Sequence, residues 1–120
     1  MTKLNCLFPQ EVSATSQGPN SVALVLFVGA NIDYFDGHFP QAPILAGVVQ
    51  LDWAIQLGFK HLDVVNTAVK NVEVLKFQVV IQPEETITLV LEKKSEYKFT
   101  FKYESEKGVH SSGRIVLEES

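Results

Sequence analysis

At 120 residues, with 46% apolar side chains, the chain is long enough to bury one core and too short for two, and residues 1–120 are expected to form one domain. A net charge of −4 argues against nucleic acid as a partner, because phosphate backbones select concentrated positive surfaces. A single cysteine, Cys6, offers no disulfide framework, argues against a structural zinc site and points to a reducing compartment.

The N-terminus lacks an apolar signal core, and no later run reaches membrane-spanning length. A soluble cytoplasmic protein with no membrane partner is therefore expected. The first strong element is SVALVLFV, Ser21–Val28, rich in β-branched and aromatic residues and set off by the turn signal Gly18-Pro19-Asn20. Residues 31–41 read as a loop with aromatic anchors at Tyr34, Phe35 and Phe39. A helix is predicted over 43–58, with Pro43 in its first turn, where a missing N–H costs nothing. Its apolar positions, from Ile44 and Leu45 to Ile55 and Leu57, leave almost no polar face, so burial all round is expected.

Strands are predicted at 69–81, 86–93, 97–104 and 109–117. The third of these alternates, with Tyr97, Phe99, Phe101 and Tyr103 on one face and Lys98, Thr100 and Lys102 on the other. Such a strand has one wet face and one covered face. The fold class implied is α+β, an antiparallel sheet of five or six strands wrapped around one long helix. So short a chain has little left to cover the sheet edges, so pairing with a second chain is expected.

Asp52 stands in the middle of the apolar helix. Carboxylates are almost never fully buried alone, so Asp52 has either a structural partner, such as a lysine of a neighbouring strand, or chemical work. His38 and Gly47 fall within the same short segment, GHFPQAPILAGVVQLDWAIQ at 37–56.

This segment resembles the active-site region of the hot-dog-fold 3-hydroxyacyl-[acyl-carrier-protein] dehydratases. The carriers of the resemblance are Gly37-His38-Phe39-Pro40, Pro43-Ile44, Gly47-Val48 and an acid at Asp52, fourteen positions after the histidine. Val74-Leu75-Lys76-Phe77 and Pro83 resemble later family features, so the likeness runs over roughly 21–117. Departures are Ala46 where proline usually precedes the glycine, and Gln41 where glycine commonly follows the HFP. The acid is Asp where one major branch has Glu, which resembles the branch that also isomerises its product. The chain also looks like the small stand-alone dehydratases of aryl-polyene and polyketide-type pathways. The resemblance implies catalytic His38 and Asp52 contributed by different subunits of a homodimer or of a heterodimer with a dehydratase-like paralogue. It further implies a thioester carbonyl held at Gly47, a supporting Gln56 one turn after the acid, and an acyl tunnel lined by Phe39, Val48 and Leu51. The partner implied is an acyl carrier protein, whose phosphopantetheine carries the substrate, with no cofactor resident in the chain itself.

The residue types fit that chemistry on their own terms. Dehydration needs a base at C2, an acid for the departing C3 hydroxyl, and donors for charge on the thioester oxygen. Histidine titrates near neutrality and suits the base. Desolvation favours a protonated carboxyl, which suits the acid. The Gly47 N–H near a helix start supplies a fixed donor at the positive end of the helix dipole. Plainer roles stay open: His38 packed in its loop, Gly47 easing helix–strand contact, Gln56 facing a strand backbone, and Trp53 in the core. His61 reads as a cation at the helix end, His110 as an exposed strand residue and Cys6 as an apolar filler. By reach, His38 and Asp52 can pair within one chain: the helix rises roughly 13 Å between 43 and 52, and residues 38–43 span about 16 Å when extended. A hot-dog thioesterase and a non-catalytic acyl-binding subunit are the competing functions. The His38 loop speaks against the first and the presence of both His38 and Asp52 against the second. Lys60, Lys70, Lys76 and Arg114 are the candidate carrier-docking cations.

Overall fold

The computed structural model describes residues 8–29 and 44–119. Six strands and one helix follow in the order β1 Gln10–Gly18, β2 Ser21–Val28, α1 Gly47–His61, β3 Val69–Phe77, β4 Glu85–Ser95, β5 Lys98–Ser105 and β6 Gly108–Leu117. All strand pairs are antiparallel, and the sheet order is β1-β2-β4-β5-β6-β3. The β1–β2 and β5–β6 turns fall at the glycine signals: Gly18 and Gly108 hold φ of 136° and 112°, which L side chains rarely adopt.

Alternation decides which side of the sheet meets the helix. Leu24, Leu26 and Val28 of β2, Ile87, Leu89 and Leu91 of β4, Phe99, Phe101 and Tyr103 of β5, and Ile115 and Leu117 of β6 are all buried in one cluster. Val49, Trp53, Ala54 and Leu57 of α1 complete it, so Trp53 is a core residue.

The helix differs from its predicted span at both ends. Residues 44–46 lie outside the helix: the Leu45 N–H donates to the Ile81 carbonyl at 2.7 Å, and Ala46 caps the helix at φ −62° and ψ 146° with no side-chain bond. The helix also runs through Gly58 to His61. Gly58 does not end it; it admits the Phe99 ring, whose Cζ would lie 2.4 Å from an added Cβ. Nor is the helix buried all round. Val48 is 74% exposed, and Gln56 and Lys60 are exposed as well.

β1 escapes a reading by pattern because QEVSATSQG is mostly polar; as an edge strand with little buried surface it needs no apolar alternation. β3 is the other edge and stops at Phe77, short of the predicted 81, because the chain there turns onto β6. The Gln78 and Val79 N–H groups both donate to the His110 carbonyl, at 2.9 and 3.3 Å. Within β3, Val74 and Leu75 together oppose Gly113, a bulge in which Val74 takes the left-handed φ of 48°. Val74, Leu75, Phe77 and Val80 are exposed along this edge. Among the described residues, no helix is long and apolar enough to cross a membrane.

Candidate active site

A pocket of about 410 Å³ opens at the start of α1. One wall is the helix entry, from Ile44 to Gly47 with Gln50; the other is 77–80 with His110. Ile44, Leu45, Phe77, Val79 and Val80 make it mainly apolar. Gly47 is the first helical residue and borders this space. A Cβ there would meet the Phe77 ring at 2.7 Å, so the close packing open to Gly47 in the sequence is present. As the first helical residue, Gly47 has an N–H with no acceptor inside the helix, at the wall of the pocket.

The buried polar side chains of the pocket are Gln50 and His110, neither singled out by the sequence; Gln78, also on its wall, is exposed. Gln50 is 4% exposed. Its Nε2 donates to the Leu45 carbonyl at 3.1 Å, and its Oε1 accepts from the Ser111 hydroxyl at 2.7 Å. Its backbone carbonyl accepts the Tyr103 hydroxyl at 2.7 Å. His110, expected on an exposed face, is instead 1% exposed. Its Nδ1 lies 3.1 Å from the Val79 carbonyl and its Nε2 2.7 Å from the Ser105 hydroxyl. A carbonyl oxygen only accepts, so Nδ1 carries a hydrogen. The reason for the inward turn is a bulge. Pairing passes from Tyr103 opposite Ser111 to Glu104 opposite Val109, leaving His110 as an extra residue in β6.

Asp52 lies two residues beyond Gln50, half-buried, with no hydrogen bond or ion pair among the described residues; the lysine partner allowed for in the sequence is absent from them. Burial, and then the Asp52 carboxylate nearby, push the Tyr103 phenol well above its ordinary range, so it stays a neutral donor to Gln50. Leu51 packs against the core, and Val48 is open to solvent on the outer side of the helix. Gln56 is exposed, makes no hydrogen bond to Asp52 among the described residues, and borders a separate cleft with Phe8, Pro9, Glu11, Leu57 and Lys60. His38 and Phe39, like Cys6, lie outside the described residues.

At the far end of α1, His61 and Lys60 both meet Glu11 of β1. Partial burial pushes the Glu11 carboxyl up, but hydrogen bonds from Lys60 and His61 outweigh it and hold the group below its usual range. Arg114 is engaged by Glu73. Of the four candidate docking cations, Lys70 and Lys76 are the ones without an ion-pair partner among the described residues. Those residues contain no cluster of metal-ligating side chains.

The ApeI-like family model, described as ApeI dehydratase, matches residues 14–114. Among solved structures, the dehydratase heterocomplex ApeI:P from Xenorhabdus doucetiae aligns with a TM-score of 0.83 and 28% identity, over 92% of this chain and 98% of that one. An uncharacterised protein from Erwinia carotovora subsp. atroseptica aligns with a TM-score of 0.72 and 31% identity, over 92% of this chain and 96% of the other. Zebra fish thioesterase superfamily member 2, at 10% identity and a TM-score of 0.61 over 88% of this chain and 78% of that one, shares the fold alone. No curated protein matches the sequence. With the antiparallel sheet and single helix described above, these findings assign the chain to the ApeI-like dehydratase family, on a hot-dog fold.

Proposed function

We propose that the protein converts a 3-hydroxyacyl thioester, carried by an acyl carrier protein, into the trans-2-enoyl thioester and water, in aryl-polyene or related lipid synthesis. The observation that carries this reading is Asp52, a half-buried carboxylate without a partner among the described residues. It stands in the helix whose first turn borders an apolar pocket large enough for an acyl thioester. In the proposed reaction His38 removes a proton from C2, and the negative charge moves onto the thioester oxygen, which the Gly47 N–H stabilises. As the C2–C3 double bond forms, the C3–O bond breaks, and Asp52 gives its proton to the departing hydroxide. The products are the enoyl thioester and one water. The phosphopantetheine arm belongs to the carrier; no resident cofactor is invoked.

The site is proposed to be completed by a second chain, either a copy of this one or a dehydratase-like paralogue, so that His38 of one chain serves Asp52 of the other. Support comes from the exposed apolar edge at Val74, Leu75, Phe77 and Val80, from the open Val48 on the same chain, and from a relative that is itself a dehydratase heterocomplex. Incubating the purified protein with a 3-hydroxyacyl carrier protein and following loss of one water by mass spectrometry tests the reading. His38→Ala and Asp52→Ala are each expected to slow that loss by at least about 100-fold while leaving the fold intact. Near-normal turnover by a folded Asp52→Ala protein contradicts the mechanism.

A further inference from the structure

We propose that the Gln50 side chain is a second hydrogen-bond donor to the acyl thioester oxygen, beside the Gly47 N–H; this rests on the dehydratase reading above. Gln50 follows Gly47 by three residues, so both lie on one face of α1, and both line the same pocket. Its carboxamide cannot turn over. The Leu45 carbonyl only accepts and therefore holds the nitrogen, which leaves the oxygen for the Ser111 hydroxyl. One of the two N–H bonds is thereby used. The other has no acceptor among the described residues, although the side chain is buried against the pocket. A buried N–H without a partner is costly, and the pocket that the side chain lines is where its acceptor would sit.

The opposite strand is built around the same space. The extra residue in β6 turns two consecutive side chains inward, and both are buried. His110 fastens Val79 on one wall, and Ser111 fastens Gln50 on the other. Ser111 and His110 are thus positioning residues, while Gln50 touches the substrate. When C2 loses its proton, the electron pair delocalises onto the thioester oxygen, where the Gly47 and Gln50 donors meet it; the pair returns as the C3–O bond breaks. No proton leaves Gln50 at any step.

The test compares two ligands of the assembled full-length protein: trans-2-butenoyl pantetheine thioester, and its thioether analogue with CH₂ in place of the carbonyl. The preference of the wild type for the thioester is expected to shrink by about three- to tenfold in Gln50→Met, which keeps the length and loses the N–H. Turnover is expected to fall further than affinity, by about 100-fold, because the oxygen carries more charge in the transition state. Equal weakening of both ligands, or an unchanged preference, overturns the inference. Should Gln50→Met fail to fold, the same comparison in Ser111→Ala decides: release of the Gln50 oxygen must narrow the preference part of the way, and no narrowing overturns the inference. A wild type that binds neither ligand overturns the dehydratase reading and this inference with it. A wild type that dehydrates its substrate, with a preference insensitive to these substitutions, overturns the inference alone.

Discussion

Gly47 and Gly58 each receive a phenyl ring against the helix backbone, with opposite consequences. Phe99 is fully buried and cannot retreat from Gly58, whereas Phe77 is half-exposed and can swing away from Gly47. Gly58→Ala is therefore expected to cost about 1–3 kcal/mol of stability, as other overpacked cores do, measured by urea unfolding. Gly47→Ala should cost less stability than Gly58→Ala while impairing turnover, because the displaced ring lines the pocket. Glu11 gives a pH-dependent prediction. Its carboxyl is held below the usual range, so its contribution is present above the unfolded-state value and lost as pH falls through the folded one. Glu11→Gln should lower stability at pH 7 by about 0.2–1 kcal/mol, since the Lys60 partner is exposed and solvent screens the pair. The gap from wild type should close below about pH 4; a gap that stays constant down to that pH would show that the ion pairs contribute nothing. The site was partly legible at this scale. Asp52 and Gly47 stand out because a carboxylate and a glycine are anomalous in an apolar helix. His110 was hidden by parity: Ser111, Gly113, Ile115 and Leu117 all face inward, so simple alternation sends residue 110 outward, and the bulge reverses it. Gln50 was hidden for the opposite reason, since an amide in a helix reads as ordinary polar relief until its burial is known.

Strands with strong alternation declared themselves. β2 was bounded to the residue, and β4, β5 and β6 to within two, because the inward positions of β2, β4 and β5 are apolar and glycine marks the turns that lead into β2 and β6. What failed was whatever depended on contacts beyond the element: polar β1 lies at an edge, and α1 starts at Gly47 because Leu45 is tied to Ile81. β3 shows the same limit, since its run of apolar residues continues past the point where His110 captures the chain. The strained Val74 in its bulge marks this edge as the proposed meeting surface. Val74→Asp tolerates the left-handed backbone better than valine does and places a charge on the edge. Sedimentation of the protein, alone and mixed with a dehydratase-like paralogue, is expected to show association weakened by at least about tenfold. Unchanged association would move the interface elsewhere.

The molecule as a whole carries a charge of −4, so long-range attraction to an acidic carrier would be poor. Docking then depends on local cations, with attraction screened over about 8 Å. Lys60 and Arg114 are engaged by Glu11 and Glu73, whereas Lys76 has no ion-pair partner among the described residues and directly precedes Phe77 in the chain, one of the residues that line the pocket. Lys76→Glu is expected to raise KM for a carrier-bound substrate and to spare a short pantetheine thioester; equal loss on both would place Lys76 in the fold or site instead. The central claim, a dehydratase whose site draws His38 and Asp52 from two chains, has one decisive measurement. Water loss from a 3-hydroxyacyl thioester is followed for His38→Ala, for Asp52→Ala, and for their mixture after chain exchange is verified. Each variant alone should be nearly inactive, and the mixture should regain part of the wild-type rate, because one of its two sites is whole. Verified exchange with no recovery would contradict the shared site, and a wild type that releases no water would contradict the account itself.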